Sequence, residues 1–271
     1  MGVASRISIN TLCLSAAHLA EQAEAVVRLG ISAISPVISQ VIDFGVDQSS
    51  RLFRDSGLRV AAVTHLAFGY ATAEEAAKER ERLLATISIA ERIGAETVIM
   101  TTGGRGGLAW SDAAARFAAE VAPCAERAQK AEIKLMIEPT SHLYADVSIV
   151  HRLSDAVRLA RDADIHVAID LFACWADSDI EAAITAAVPI AGLVQVGDYV
   201  YGDRSLPCRA VPGDGAVPLD RLIALIEGSG FRGTYDIEVI GPRLAMEGHQ
   251  AGLRRTTTYV AACLAHQEKA E

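Results

Sequence analysis

The stretch "AEEAAKERERLLATISIAERIGAETVIMTT", residues 73–102, decides the fold. From Ala73 to Gly94 it is rich in Ala, Leu, Glu and Arg and fits one long helix, while "TVIMTT" at its end is a β-branched, apolar run that fits a strand. Gly94 between them is a helix stop, so helix, glycine and strand follow one another within a few residues.

Working outward, the same order recurs along the chain. "RISINTL", "ISAISPV", "RVAAVTHL", "IKLMIE", "HVAID", "AGLVQV" and "TYDIEVI" complete eight strand candidates, and stretches such as "SAAHLAEQAEAVVRLG" supply helices between them. Gly30, Gly57 and Gly230 repeat the stop seen at Gly94. Continuous apolar strands separated by crossover helices imply a parallel sheet covered on both faces. Eight such units in a chain of 271 residues favour a closed (β/α)8 TIM barrel of the α/β class, expected as one domain over 1–271. An open doubly wound sheet is the alternative. It would place a GxGxxG turn after the first strand, where "NTLCLSAAH" stands instead.

Composition excludes several functions. A formal charge of −9 without a Lys/Arg cluster gives no footprint for a phosphate backbone, so no nucleic acid is expected. Apolar runs stop short of the roughly 20 residues a membrane span needs, and "MGVASRISIN" has no signal-peptide core; a cytoplasmic protein with no membrane partner is expected. The five cysteines are scattered and form no CxxC pair, so they imply neither a disulfide framework nor a thiolate zinc site.

In a barrel the chemistry sits at the C-terminal ends of the strands. Those ends hold Glu138 in "MIEP", Asp170 in "AIDL", Gln195 in "VQVGD" and Glu238 in "DIEV". Taken singly, an acid at a strand end is more often a helix cap or a salt-bridge partner. Four oxygen-bearing side chains at the ends of strands five to eight are another matter, because three crowded carboxylates repel unless a cation neutralises them. An all-oxygen set suits Mn²⁺ or Mg²⁺ better than Zn²⁺, so one divalent ion, Mn²⁺ first and Mg²⁺ or Co²⁺ next, is expected on Glu138, Asp170, Gln195 and Glu238. Asp198, just past its strand, reads as a loop cap.

From "IEPTSHLYAD" through "AIDLFACWADSDIEAAI", "GLVQVGDY" and "RAVPGDGAVPLDRLIALIEGSGFRG" to "YDIEVIG", the chain resembles the xylose isomerase-like TIM-barrel superfamily of sugar phosphate isomerases and epimerases. Order and gaps match over essentially the whole chain. The resemblance implies a metal shell of Glu138, Asp170, Gln195 and Glu238, with Arg209 near the substrate. Two positions depart from the family pattern: Gln195 replaces a metal-binding histidine, and Ala173 replaces a histidine three residues beyond the aspartate.

The resemblance further implies a sugar-like hydroxy-carbonyl substrate, with Glu138 and Glu238 as the bases that form and reprotonate an enediolate. Reprotonation on the other face gives epimerisation; loss of a β-substituent gives a lyase, as in inosose dehydratases and C-glycoside deglycosidases. A decayed barrel acting as a binding or partner subunit is the third reading, and a homo-oligomer or a heteromeric partner suits the chain. His65 and His142 are candidates to replace the lost histidine, His142 as proton donor and His65 at the substrate, while Trp175 and Phe172 pack over the mouth or against a sugar-like ring. His18, His151, His166, His249 and His266 are expected away from the mouth. "TTGGRGG" offers backbone N–H groups to an anion, though glycine-rich loops are common.

Overall fold

The structure, a computed structural model, describes residues 3–15 and 18–268. The two ends of the expected 1–271 domain, with Ala16 and Ala17 of the first helical stretch, lie outside the described residues. The eight apolar runs form parallel strands: β1 Ile7–Asn10, β2 Ala33–Ser35, β3 in two pieces Arg59–Val60 and Val63–Thr64, β4 Thr97–Met100, β5 Lys134–Ile137, β6 His166–Asp170, β7 Ala191–Val196 and β8 Thr234–Ile237.

Counted by ladder there are nine, ordered first piece of β3, then β2, β1, β8, β7, β6, β5, β4 and second piece of β3. The two ends of that order belong to one run, "RVAAVTHL", so the sheet closes on itself. The first piece pairs with β2 and the second with β4, and a single bridge, Val37 to Thr64, spans the seam. The ladder breaks there for a covalent reason: Pro36 has no N–H to donate, and its carbonyl accepts from Thr64 at 2.9 Å.

The stretch that decided the fold behaves as its residues require. Thr72 caps the helix Ala73–Ile93 by accepting the Glu75 N–H, and Gly94 ends it in the left-handed conformation at φ 71°, a region without penalty only for glycine. Two apolar layers follow from the alternation of the strands. A large cluster fills the space between sheet and helices, and a small one, Ala62, Ile99, Met136, Ala168 and Leu193, fills the barrel interior from β4 to β7 and the seam of β3. No helix among the described residues is long and apolar enough to cross a membrane. The five cysteines are unpaired.

Candidate functional site

Side chains two residues apart on a strand share a face. Met136, Ala168 and Leu193 point into the barrel, so Glu138, Asp170 and Gln195, each two residues further on, point the same way at the mouth. Glu238 stands in the same relation to Asp236, which is buried inside the barrel against Ser8, Ser35 and Asn10. The four expected strand-end residues therefore share one inward face, and Arg209 joins them.

Arg209 is the centre of this cluster. Its guanidinium donates to both oxygens of Asp170, at 2.9 and 2.7 Å, and lies 3.7 Å from Glu238 Oε2. Gln195 Nε2 donates to the same Glu238 oxygen. Two acceptors are left buried without a partner, Glu138 Oε2 and Gln195 Oε1. Burial, and then the charges of Glu238 and Asp170, push the Glu138 carboxyl well above the usual carboxylate range, with Arg209 and Gln195 opposing. Burial likewise raises Glu238; Arg209 pulls it back, and Asp170 and Asp236 add to the rise.

The arginine is held from several sides. Its face lies 4.6 Å from the Phe172 ring, its backbone N–H donates to Ile240, and Arg209–Ala210 pairs antiparallel with Asp198–Tyr199. Asp198 anchors that ribbon by accepting the N–H groups of Tyr199, Gly213, Gly215 and Val217, at 2.7 to 3.0 Å. It acts as the loop cap its position suggested. Gly197 leaves room: a Cβ there would stand 3.3 Å from the Arg209 stem and 2.9 Å from the Glu238 carbonyl.

The donor set, as arranged, does not fit a divalent ion. Asp170 gives both oxygens to Arg209, and Gln195 turns its amide hydrogens toward Glu238, where the expectation was an oxygen facing a metal. Among the described residues, no three His, Cys, Asp or Glu side chains are grouped to hold a metal ion.

The remaining candidates make no hydrogen bond or ion pair with the cluster among the described residues. His142 and Trp175 line a cavity of about 630 Å³ with Phe172, Tyr199, Arg204 and Cys208, and Phe172, Tyr199 and Cys208 each adjoin Arg209. His151 lines the same cavity, against the expectation that it lies away from the mouth, because the loop after β5 folds back to bring its Nδ1 3.1 Å from the Thr140 carbonyl. His65 is buried at the end of β3, with Nδ1 2.8 Å from Thr86 Oγ1 and Nε2 without a partner. Burial, then the nearby Arg82 charge, lowers its pKa to about 3, so the ring is neutral. Two glycines of "TTGGRGG" serve packing: a Cβ on Gly103 or Gly104 would overlap the Phe68 or Asp146 carbonyl, while Gly106 and Gly107 face open space.

The Ser8, Ser35, Asn10 and Asp236 cluster was not read from the sequence. The signal was the "DIE" of β8, two acids on one strand face. Burial raises the Asp236 carboxyl to about 6, opposed by the hydrogen bonds of Ser8, Ser35 and Asn10.

A family profile described as a xylose isomerase-like TIM barrel matches residues 23–259. No curated protein matches the chain. Among solved structures, protein SMc04130 from Sinorhizobium meliloti superposes with a TM-score of 0.88 at 24% identity, covering 96% of this chain and 98% of its own. The IolI protein with a binding zinc atom gives 0.85 at 13% identity, covering 97% and 99%. L-ribulose 3-epimerase gives 0.81 at 19% identity, covering 98% and 96%. At these identities the likeness is one of fold.

Proposed function

Since the chain belongs to the xylose isomerase-like TIM-barrel family, we propose that it is an isomerase or epimerase of a sugar-like hydroxy-carbonyl compound. The observation that carries this reading is the pair of glutamates, Glu138 at the end of β5, half-buried with its Oε2 enclosed, and buried Glu238 at the end of β8, flanking Asp170 and Gln195. Burial raises both carboxyl groups, Glu238 to about 7, so each holds a proton more readily than a free carboxylate, which suits a general acid–base pair.

In the proposed reaction one glutamate takes the proton from the carbon between hydroxyl and carbonyl. The C–H electron pair becomes the C=C bond of the enediolate, the carbonyl π pair moves onto oxygen, and the guanidinium of Arg209 stabilises the negative charge there. The other glutamate returns a proton to carbon. Glu138 Oε2 and Gln195 Oε1, buried and unpartnered, suit the hydroxyls of a polyol. The same first step followed by loss of a β-substituent would make the protein a lyase. Similarity in fold to L-ribulose 3-epimerase favours epimerisation.

A divalent-ion reading, with Mn²⁺ foremost, draws on the zinc of the IolI structure and on the all-oxygen donor set. It requires Arg209 to release Asp170 and Gln195 to turn over. The test of the proposal is turnover of a panel of ketoses, inososes and 3-oxo-glycosides by the wild type, Glu138→Gln and Glu238→Gln. Each substitution should lower kcat by about 10²–10⁴-fold. A substrate turned over equally well by all three proteins would contradict it.

A further inference from the structure

We infer that Arg209 is the resident cation of the carboxylate cluster, holding in this chain the place at Asp170 that a divalent ion would need. The site then draws its positive charge from a side chain and takes up no metal. Three carboxylates at the ends of β5, β6 and β8 require a positive charge nearby. Arg209 supplies it with both N–H arms of one face on Asp170 and a reach of 3.7 Å to Glu238.

This guanidinium has a built seat. Phe172 covers it at 4.6 Å, the Gly197 backbone leaves space for its stem, and its side chain is only 10% exposed. The Asp198 anchor and the ribbon with Tyr199 fix the backbone from which it projects. The planar fork takes a lone pair on each Asp170 oxygen and the Phe172 N–H a further one on Oδ1 at 3.1 Å, so an ion at this carboxylate would compete with three donors.

The neighbouring residues complete the same arrangement. Gln195 Nε2 donates to Glu238 Oε2, the oxygen that the Arg209 charge approaches at 3.7 Å. Ala173 has no donor atom at all. Where the resemblance implies a metal-binding histidine there is thus an amide that donates a hydrogen bond to a carboxylate, and the second histidine position is inert. A metal ligand must approach to roughly 2.0–2.6 Å along the same lone pairs, so an ion and Arg209 exclude each other at Asp170.

The charge balance is independent of which reaction the site runs, and metal uptake can be read without any turnover. Chelator-treated protein is titrated with Mn²⁺, and separately with Zn²⁺ and Co²⁺, by calorimetry, with the Mn²⁺ spin-resonance signal as a second readout. Wild type, Arg209→Met and the double variant Arg209→Met/Asp170→Asn are compared. The wild type should bind no stoichiometric ion. Arg209→Met, which keeps the stem and removes the charge, should gain one site tighter by at least about 100-fold, and Asp170→Asn should abolish the gain. If Arg209→Met does not fold, Arg209→Lys carries the same comparison, because an ammonium cannot bridge both oxygens. Stoichiometric uptake by the wild type that Asp170→Asn removes would overturn the inference. So would a folded Arg209 variant that gains no site.

Discussion

The buried histidine at the end of β3 makes the stability of the barrel depend on pH in a calculable way. His65 is 3% exposed, and its pKa falls to about 3 from an ordinary value of 6.5. The folded chain therefore keeps the ring neutral where the unfolded chain protonates it. Below pH 6.5 the unfolded state binds the extra proton, so stability falls with each step toward acid, by about 1.4 kcal/mol per pH unit until the folded pKa is reached. Between pH 7 and pH 5 this one group removes about 2 kcal/mol. Other groups titrate in the same range; Asp236, raised to about 6, acts in the opposite sense, gaining stability as pH falls. The assay is thus a difference: urea unfolding of wild type and His65→Gln at both pH values. Glutamine does not titrate and can still meet Thr86. The stability gap should move by about 2 kcal/mol in favour of the variant on going to pH 5. A gap constant within about 0.5 kcal/mol would refute a buried, neutral His65.

Other perturbations follow from the same geometry. Glu227 is buried and takes two hydrogen bonds from Arg6 and one from Tyr235, so Glu227→Ala should cost about 3–5 kcal/mol in urea unfolding by removing the carboxylate of a buried ion pair. Asp198→Ala removes the acceptor of four backbone N–H groups; it should cost about 2–4 kcal/mol and make the amides of Gly213, Gly215 and Val217 exchange faster in deuterium. Gly104→Ala would push a Cβ to 2.5 Å from the Asp146 carbonyl and should destabilise by about 1–3 kcal/mol, with phosphate giving no compensating protection in a thermal shift.

The fold was legible because it rests on periodicity. Each of the eight runs reads as a strand from its own residues, and Gly94 marks its helix end without reference to anything distant. The inward face of Glu138, Asp170, Gln195 and Glu238 was legible for the same reason, since period two fixes a side chain's face once the strand is placed. What stayed hidden depends on partners far apart in sequence. Nothing near Arg209 says that it reaches Asp170, 39 residues earlier, because that contact needs both the closed barrel and the ribbon that returns over its mouth. The orientation of the Gln195 amide is decided only by which neighbour needs a hydrogen. The break in β3 is traceable to Pro36 on the adjoining strand, a residue whose effect is felt across the ladder and not in its own run.

The most direct test of the central claim, proton transfer at carbon by Glu138 and Glu238 beside Arg209, is solvent isotope exchange in protein freed of metal. A turned-over hydroxy-ketone is incubated in D2O with chelator present, and substrate and product are read by proton NMR. The account predicts deuterium at the carbon between hydroxyl and carbonyl, at a rate unaffected by chelation and lost in both Glu138→Gln and Glu238→Gln. Exchange that requires added metal, or that persists in both glutamine variants, would contradict it.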